Sequence, residues 1–136
     1  MPSLLYLVKQ LELAVRARLD EVVRAHGITA LQYTALTVLE RHDGLSAAQL
    51  ARDSFVTAQS IADLVRALET RGLISRERNA ENRRELLIHL TGQGRALLAA
   101  VDAPVRGLEV RMITKLTAGQ AAEFRQSLIT AWQSMA

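Results

Sequence analysis

The 136-residue chain is 49% hydrophobic and 23% charged with a net charge of +3, the balance of one folded globular domain and far from the high-charge, low-apolar composition of disorder. It contains no cysteine, which removes disulfides, thiolate metal sites and thiol-based redox sensing together. No apolar run reaches the ~20 residues of a membrane span, and Lys9, Glu12, Arg16 and Arg18 interrupt the N-terminal apolar residues where a signal peptide needs a continuous segment, so the expected location is the cytoplasm.

Leu4, Leu7, Val8, Leu11, Val15, Leu19, Val22 and Val23 recur at three- and four-residue steps, which predicts an amphipathic helix ended by Gly27. Thr29-Ala-Leu-Gln32 has the form of a capping box and opens a second helix, which runs to about Arg41 on Leu31, Ala35, Leu36 and Leu39. Ser46-Ala-Ala-Gln49 repeats that punctuation before a short Ala-rich helix ending near Arg52. Thr57 can cap the next helix, with Ile61, Leu64, Val65 and Leu68 on one face and Gly72 where a helix C-terminus favours glycine. The period then changes. Leu73–Arg78 is short and mixed, Asn79–Arg84 is polar, and Leu86, Ile88 and Leu90 alternate with Glu85, Leu87 and His89, which predicts a hairpin with a polar tip. Thr91 opens a long helix through Leu97, Leu98, Val101, Val105, Leu108, Met112 and Ile113, with a kink or break expected at Pro104. Thr117-Ala-Gly-Gln120 caps a last helix carrying Phe124, Leu128, Ala131, Trp132 and Met135.

The expected order is therefore α-α-α-α-β-β-α-α, a mainly α (α+β) protein built as a winged helix-turn-helix with long N- and C-terminal helices. Those terminal helices carry more apolar stripe than a lone lobe covers, which points to a homodimer.

A helix fits the major groove of duplex DNA, and a hairpin tip can reach the adjacent minor groove. With Ile61, Leu64, Val65 and Leu68 inward, the reading helix presents Gln59, Asp63, Arg66 and Thr70, flanked by Ser60 and Ala67 and preceded by Thr57. Gln can bond adenine and Arg guanine in bidentate fashion, and Ser or Thr can serve bases or phosphates. Asp63 either accepts from cytosine N4 or pairs with Arg66 three residues on. The hairpin adds Arg76 and Arg78 on its first strand and Arg83-Arg84 at its tip, where an inserted Arg exploits the negative potential of a narrow minor groove. All but two of the 17 basic residues are arginine, the residue best suited to phosphate.

Leu50-Ala51, Leu68-Glu69, Gly72-Leu73-Ile74, Arg76, the Arg83-Arg84 pair, and Leu90-Thr91 with Gly94 follow one another in an order and spacing that resembles the core of the MarR (multiple antibiotic resistance regulator) family. The resemblance implies one unit over 1–136, with a DNA-binding lobe at 30–90 and dimerisation helices at 1–26 and 91–136. It also implies an obligate dimer whose N- and C-terminal helices intertwine and whose wings probe the minor groove, placing the family's second wing arginine on Arg84 with Arg83 beside it. The family's usual acid two places before that arginine is Asn82 here, and Glu81 is the candidate substitute for steadying the wing.

The function implied is a DNA-binding transcription regulator, a repressor acting on a pseudo-palindromic operator in double-stranded DNA. The resemblance further implies a small aromatic or phenolic effector held between dimer helices and DNA-binding lobe, for which Arg16, His26 and Tyr33 are the candidate residues. No catalytic grouping is present: His26, His42 and His89 are scattered over different elements, and no metal-ligand spacing or phosphate-cradling glycine motif occurs. No enzyme activity, metal or cofactor is expected. The alternatives are a winged-helix module that binds protein and a DNA-binding protein that responds to no effector.

Overall fold

A computed structural model describes residues 1–136. The chain runs α1 (Leu4–Arg24), α2 (Ala30–Arg41), β1 (Leu45–Ser46), α3 (Ala47–Asp53), α4 (Ala58–Thr70), β2 (Ile74–Arg78), β3 (Leu86–Leu90), α5 (Gly92–Ile113) and α6 (Ala118–Met135). It divides into two compact units, Met1–Ala103 and Pro104–Ala136.

Helix starts fall where side chains satisfy orphan amides. Thr29 and Thr117 form full capping boxes with Gln32 and Gln120, and Thr57 accepts from the Ser60 amide at the head of α4. Ser46 caps α3, but Gln49 does not complete that box: its amide donates to Asp53 and its oxygen accepts from Arg52.

Two expectations are corrected. The chain has a third strand, β1, giving an antiparallel sheet in the order β1-β3-β2. Two residues are too short to show a period; β1 forms because Gly44, at φ +77°, turns the chain and donates to the Ile88 carbonyl. Of the kink or break expected at Pro104, the break does not occur: α5 is helical from Gly92 to Ile113. Proline's φ suits a helix, and the carbonyl it leaves without a donor belongs to exposed Ala100, where water can bond it.

In the 1–103 unit, Val23, Ile28, Leu36, Leu39, Leu50, Leu68, Ile88 and Val101 are almost wholly buried, each contributing roughly 1.5–3 kcal/mol of apolar transfer. They join α1–α4, the sheet and the first half of α5 into one core. In α4 the four residues assigned inward, Ile61, Leu64, Val65 and Leu68, are all buried. Arg71 at the end of α4 donates to the carbonyls of His26 and Gly27, fastening the α1–α2 connection to the reading helix. By contrast Leu4, Leu5, Leu7 and Val8 of α1 are exposed. In the 104–136 unit no residue of α6 is buried, and Trp132 and Met135 are open.

Asp43 closes the base of the sheet. Its Oδ1 accepts from the Leu90 amide at 2.8 Å and its Oδ2 meets His89 Nδ1 at 2.9 Å, while Glu77 Oε2 lies 3.5 Å from His89 Nε2. Partial burial alone would raise the Asp43 pKa, but the Leu90 amide, His89 and the Arg95 charge outweigh it and leave it lowered. A lowered folded-state pKa means stability present above the ordinary carboxylate range and lost as the pH falls through the folded value. Asp43→Asn keeps an acceptor for Leu90 but cannot titrate. Melting followed from pH 7 to 2.5 should therefore fall less steeply for Asp43→Asn than for the parent; parallel curves would show that Asp43 contributes nothing through its charge.

Candidate nucleic-acid interface

The reading helix and the wing meet at the sheet. β2 pairs with β3 in the register Ile74↔Leu90, Arg76↔Ile88 and Arg78↔Leu86, so Ile74, Ile88 and Leu90 face inward while the strands carry residues 79–85 beyond the core. A shallow cavity of about 300 Å³ separates α4 from the wing; Ile61, Ala62 and Val65 line one side and Arg76, Arg84 and Leu86 the other. Arg84 therefore stands beside the reading helix.

All of Thr57, Gln59, Ser60, Asp63, Arg66 and Thr70 are exposed, but their side chains differ in freedom. The Gln59 side chain makes no hydrogen bond within the chain. Thr57 donates to Ser60 Oγ at 3.0 Å while accepting the Ser60 amide, so the two hydroxyls form one cap. Arg66 donates to Asp63 at 2.9 Å, with both side chains mostly open. Of the two roles left open for Asp63, the structure shows the pair; an exposed pair of this kind adds only a few tenths of a kcal/mol, about 0.2–0.5, and opens readily to another partner. Thr70 donates to the Arg66 carbonyl at the far end of α4, ~18 Å from its first residue.

The wing arginines separate into two kinds. Arg76 is held by Glu69 of α4 through two bonds, of 3.2 and 2.7 Å. That hydrogen-bonded pairing lowers the Glu69 pKa and raises that of Arg76. It fastens β2 to the reading helix, so its charge is already matched. Arg78 donates to the Arg83 carbonyl at 2.8 Å, across the tip. Arg83 and Arg84 have exposed side chains and no ion-pair partner.

The tip is steadied by asparagines. Asn79 Oδ1 accepts from the Glu81 amide at 3.0 Å, Asn82 Oδ1 accepts from the Arg84 amide at 3.2 Å, and Asn79 Nδ2 donates to Glu85 at 2.9 Å. Each Asn bonds the backbone two residues on, which fixes a turn without a charge. Asn82 thus braces Arg84 itself; Glu81 contributes its backbone and makes no ion pair. The Asn-x-x-Asn spacing was the available sequence signal. Glu69 was also overlooked, because a partner seven residues away lies outside any helical pairing rule.

The three effector candidates are not brought into one visible cavity. Arg16 is exposed and bound to Glu12 one turn before it. Half-buried His26 lies in the turn after α1, beyond the eight residues or ~12 Å of helix from Arg16 to Arg24, and gives its carbonyl to Arg71. Tyr33 is half-buried on α2. No cluster of metal-ligating side chains is present, and no helix is long and apolar enough to cross a membrane.

A capped helix pair followed by an antiparallel hairpin with a free arginine tip defines a winged helix-turn-helix regulator. A profile of the MarR family matches residues 26–85. The HTH-type transcriptional repressor Rv2887 of Mycobacterium tuberculosis is 33% identical over 123 residues, covering 90% of this chain and 88% of the repressor. The Rv2887 crystal structure in complex with DNA superposes with a TM-score of 0.82 at 31% identity, over 96% of this chain and 98% of that one. Its complex with salicylic acid gives 0.79 at 32% identity, over 96% and 97%. The chain belongs to the MarR family, whose members similar to it are transcription regulators and not enzymes.

Proposed function

We propose that the protein is a homodimeric repressor that binds a pseudo-palindromic operator in double-stranded DNA and is released by a small aromatic or phenolic acid. The observation that carries this reading is the unpaired Arg83-Arg84 tip set beside a helix whose outward face ends in free Gln59 and exposed Ser60 and Arg66. Charge without a partner on the wing suits phosphate and groove potential, and an unsatisfied amide on a helix suits a base edge. The Rv2887 complexes with DNA and with salicylic acid support both halves of the reading.

The 30–90 segment serves as the DNA-binding lobe, and 1–26 with 91–136 supply the dimer contacts. The open stripe of α1 and the unburied α6 support this, since exposed apolar patches of this kind mark association surfaces. The protein acts in the cytoplasm, where its operator is. For the effector we retain His26, Tyr33 and Arg16, the last of which must leave Glu12 to meet a carboxylate. Salicylic acid titrated into the DNA complex should release it, because an effector must bind the DNA-free state more tightly; a broad panel of phenolic acids without effect would leave an effector-independent binder.

The decisive comparison uses Gln59→Ala on duplexes selected by the parent from a random pool. Its charge is unchanged, so the salt dependence of affinity should hold, while discrimination at one or two base positions relaxes by roughly 1–3 kcal/mol. Unchanged discrimination would remove α4 from the base-reading role.

A further inference from the structure

The turn between α3 and α4 inverts what folding alone selects. Ser54 is fully buried with its hydroxyl unbonded, while the next residue, Phe55, is 83% exposed. Phe55 also sits at φ +62°, the only non-glycine residue of the chain in the left-handed region. A bulky side chain is disfavoured there and glycine is not. A large apolar ring is thus held in solvent, on a strained backbone, without packing against its own chain. Strain of this kind gathers at functional positions.

The position narrows what the ring can meet. Phe55 lies two residues before Thr57, the cap of α4, hence within about 7.6 Å along the backbone. A reading helix enters the groove by its N-terminal residues, so an exposed side chain two residues ahead of the cap is within reach of the sugar–phosphate strand that borders the groove. The same turn carries Arg52, which is bonded only to neutral Gln49, and the Thr57 hydroxyl. Asp53, whose Oδ1 accepts from Gln49, is its one acid. Ring, guanidinium and hydroxyl together match deoxyribose and phosphate.

We propose that Phe55 is a DNA-positioning residue whose ring packs on the deoxyribose faces of the strand flanking the reading helix, setting how α4 enters the groove. This rests on the reading of α4 as the DNA-facing helix. A ring on sugars carries no sequence information and no charge, so its contribution is equal on all duplexes and independent of salt.

The test measures binding of Phe55→Gly, Phe55→Asn and Phe55→Tyr to a fluorescein-labelled duplex selected by the parent and to a scrambled duplex of the same composition. Glycine and asparagine both tolerate the left-handed backbone, so melting temperatures should be level with the parent or up to about 5 °C higher. Affinity should nonetheless fall about tenfold or more on both duplexes, at unchanged salt slope, while Phe55→Tyr binds as the parent does. Stability and binding moving in opposite directions is a result that a structural role for Phe55 cannot give. Parent-like binding by Phe55→Gly beside weakened Arg84→Ala overturns this inference and leaves the DNA reading standing. If Arg84→Ala and Gln59→Ala also bind like the parent, the DNA reading itself fails. A loss confined to the selected duplex, a changed dimer mass, or melting lowered in both Gly and Asn variants would each overturn the assignment to the sugar backbone.

Discussion

Gly94→Ala should lower the melting temperature of the 1–103 unit by about 10 °C or more. A Cβ on Gly94 would stand 2.3 Å from the Leu73 carbonyl oxygen and 2.6 Å from Leu90 Cδ1. The Leu73 carbonyl cannot step aside cheaply, because it accepts the Thr91 amide at 3.1 Å, while the Thr91 hydroxyl donates to Gly72 and accepts from Gly94. This knot joins the end of the reading helix, the base of the wing and the start of α5. Overpacking a backbone contact costs about 2–3 kcal/mol, which in a unit of this size is roughly 10 °C or more. Gly92→Ala is the control: its Cβ meets nothing within 4 Å, and alanine favours the helix by up to about 1 kcal/mol. Calorimetry on both variants checks the pair. Similar melting for Gly94→Ala and the parent would mean that α5 is not locked to the wing base.

The double variant Arg83→Ala/Arg84→Ala should leave melting unchanged and reduce affinity for DNA on the order of a thousandfold at 0.1 M salt. Each neutralised phosphate contributes about 0.9 to the log–log salt slope, hence about 0.9 decade at that salt. A dimer loses two charges per wing, so the slope should shrink by about four in all, or about one unit per half-site for Arg84→Ala alone. Because both side chains are exposed and unpaired, the fold has no use for them. Arg76→Ala should behave in the reverse manner, changing the salt slope little while loosening β2 from α4 through loss of the Glu69 pair. Equal slopes for the parent and the double variant, measured by anisotropy from 0.05 to 0.3 M salt, would place the wing away from the nucleic acid.

Much of this was readable from the chain because it is local. Thr29, Ser46, Thr57 and Thr117 announce helix starts through bonds that span three residues, and the inward set of α4 follows from its period alone. What was not readable depends on contacts between distant segments. β1 depends on Ile88, 43 residues on from Leu45, with which it pairs, and the Glu69 partner of Arg76 sits on a different element, so neither contact has a local signature. A charged residue such as Glu81 is the evident brace in the sequence, whereas Asn82 braces Arg84 with a neutral amide. Phe55 gave no sequence signal, since a lone aromatic in a turn reads as ordinary until its backbone angle and exposure are known.

If two copies of α4 and two arginine wings engage one face of a duplex, hydroxyl-radical footprinting on a selected duplex should show two protected patches related by a pseudo-twofold, centred ~10–11 base pairs apart, with the outer minor-groove protections lost in Arg83→Ala/Arg84→Ala and the inner ones retained in weakened form. A single protected patch, or a footprint that the double variant reproduces in full, would contradict that engagement.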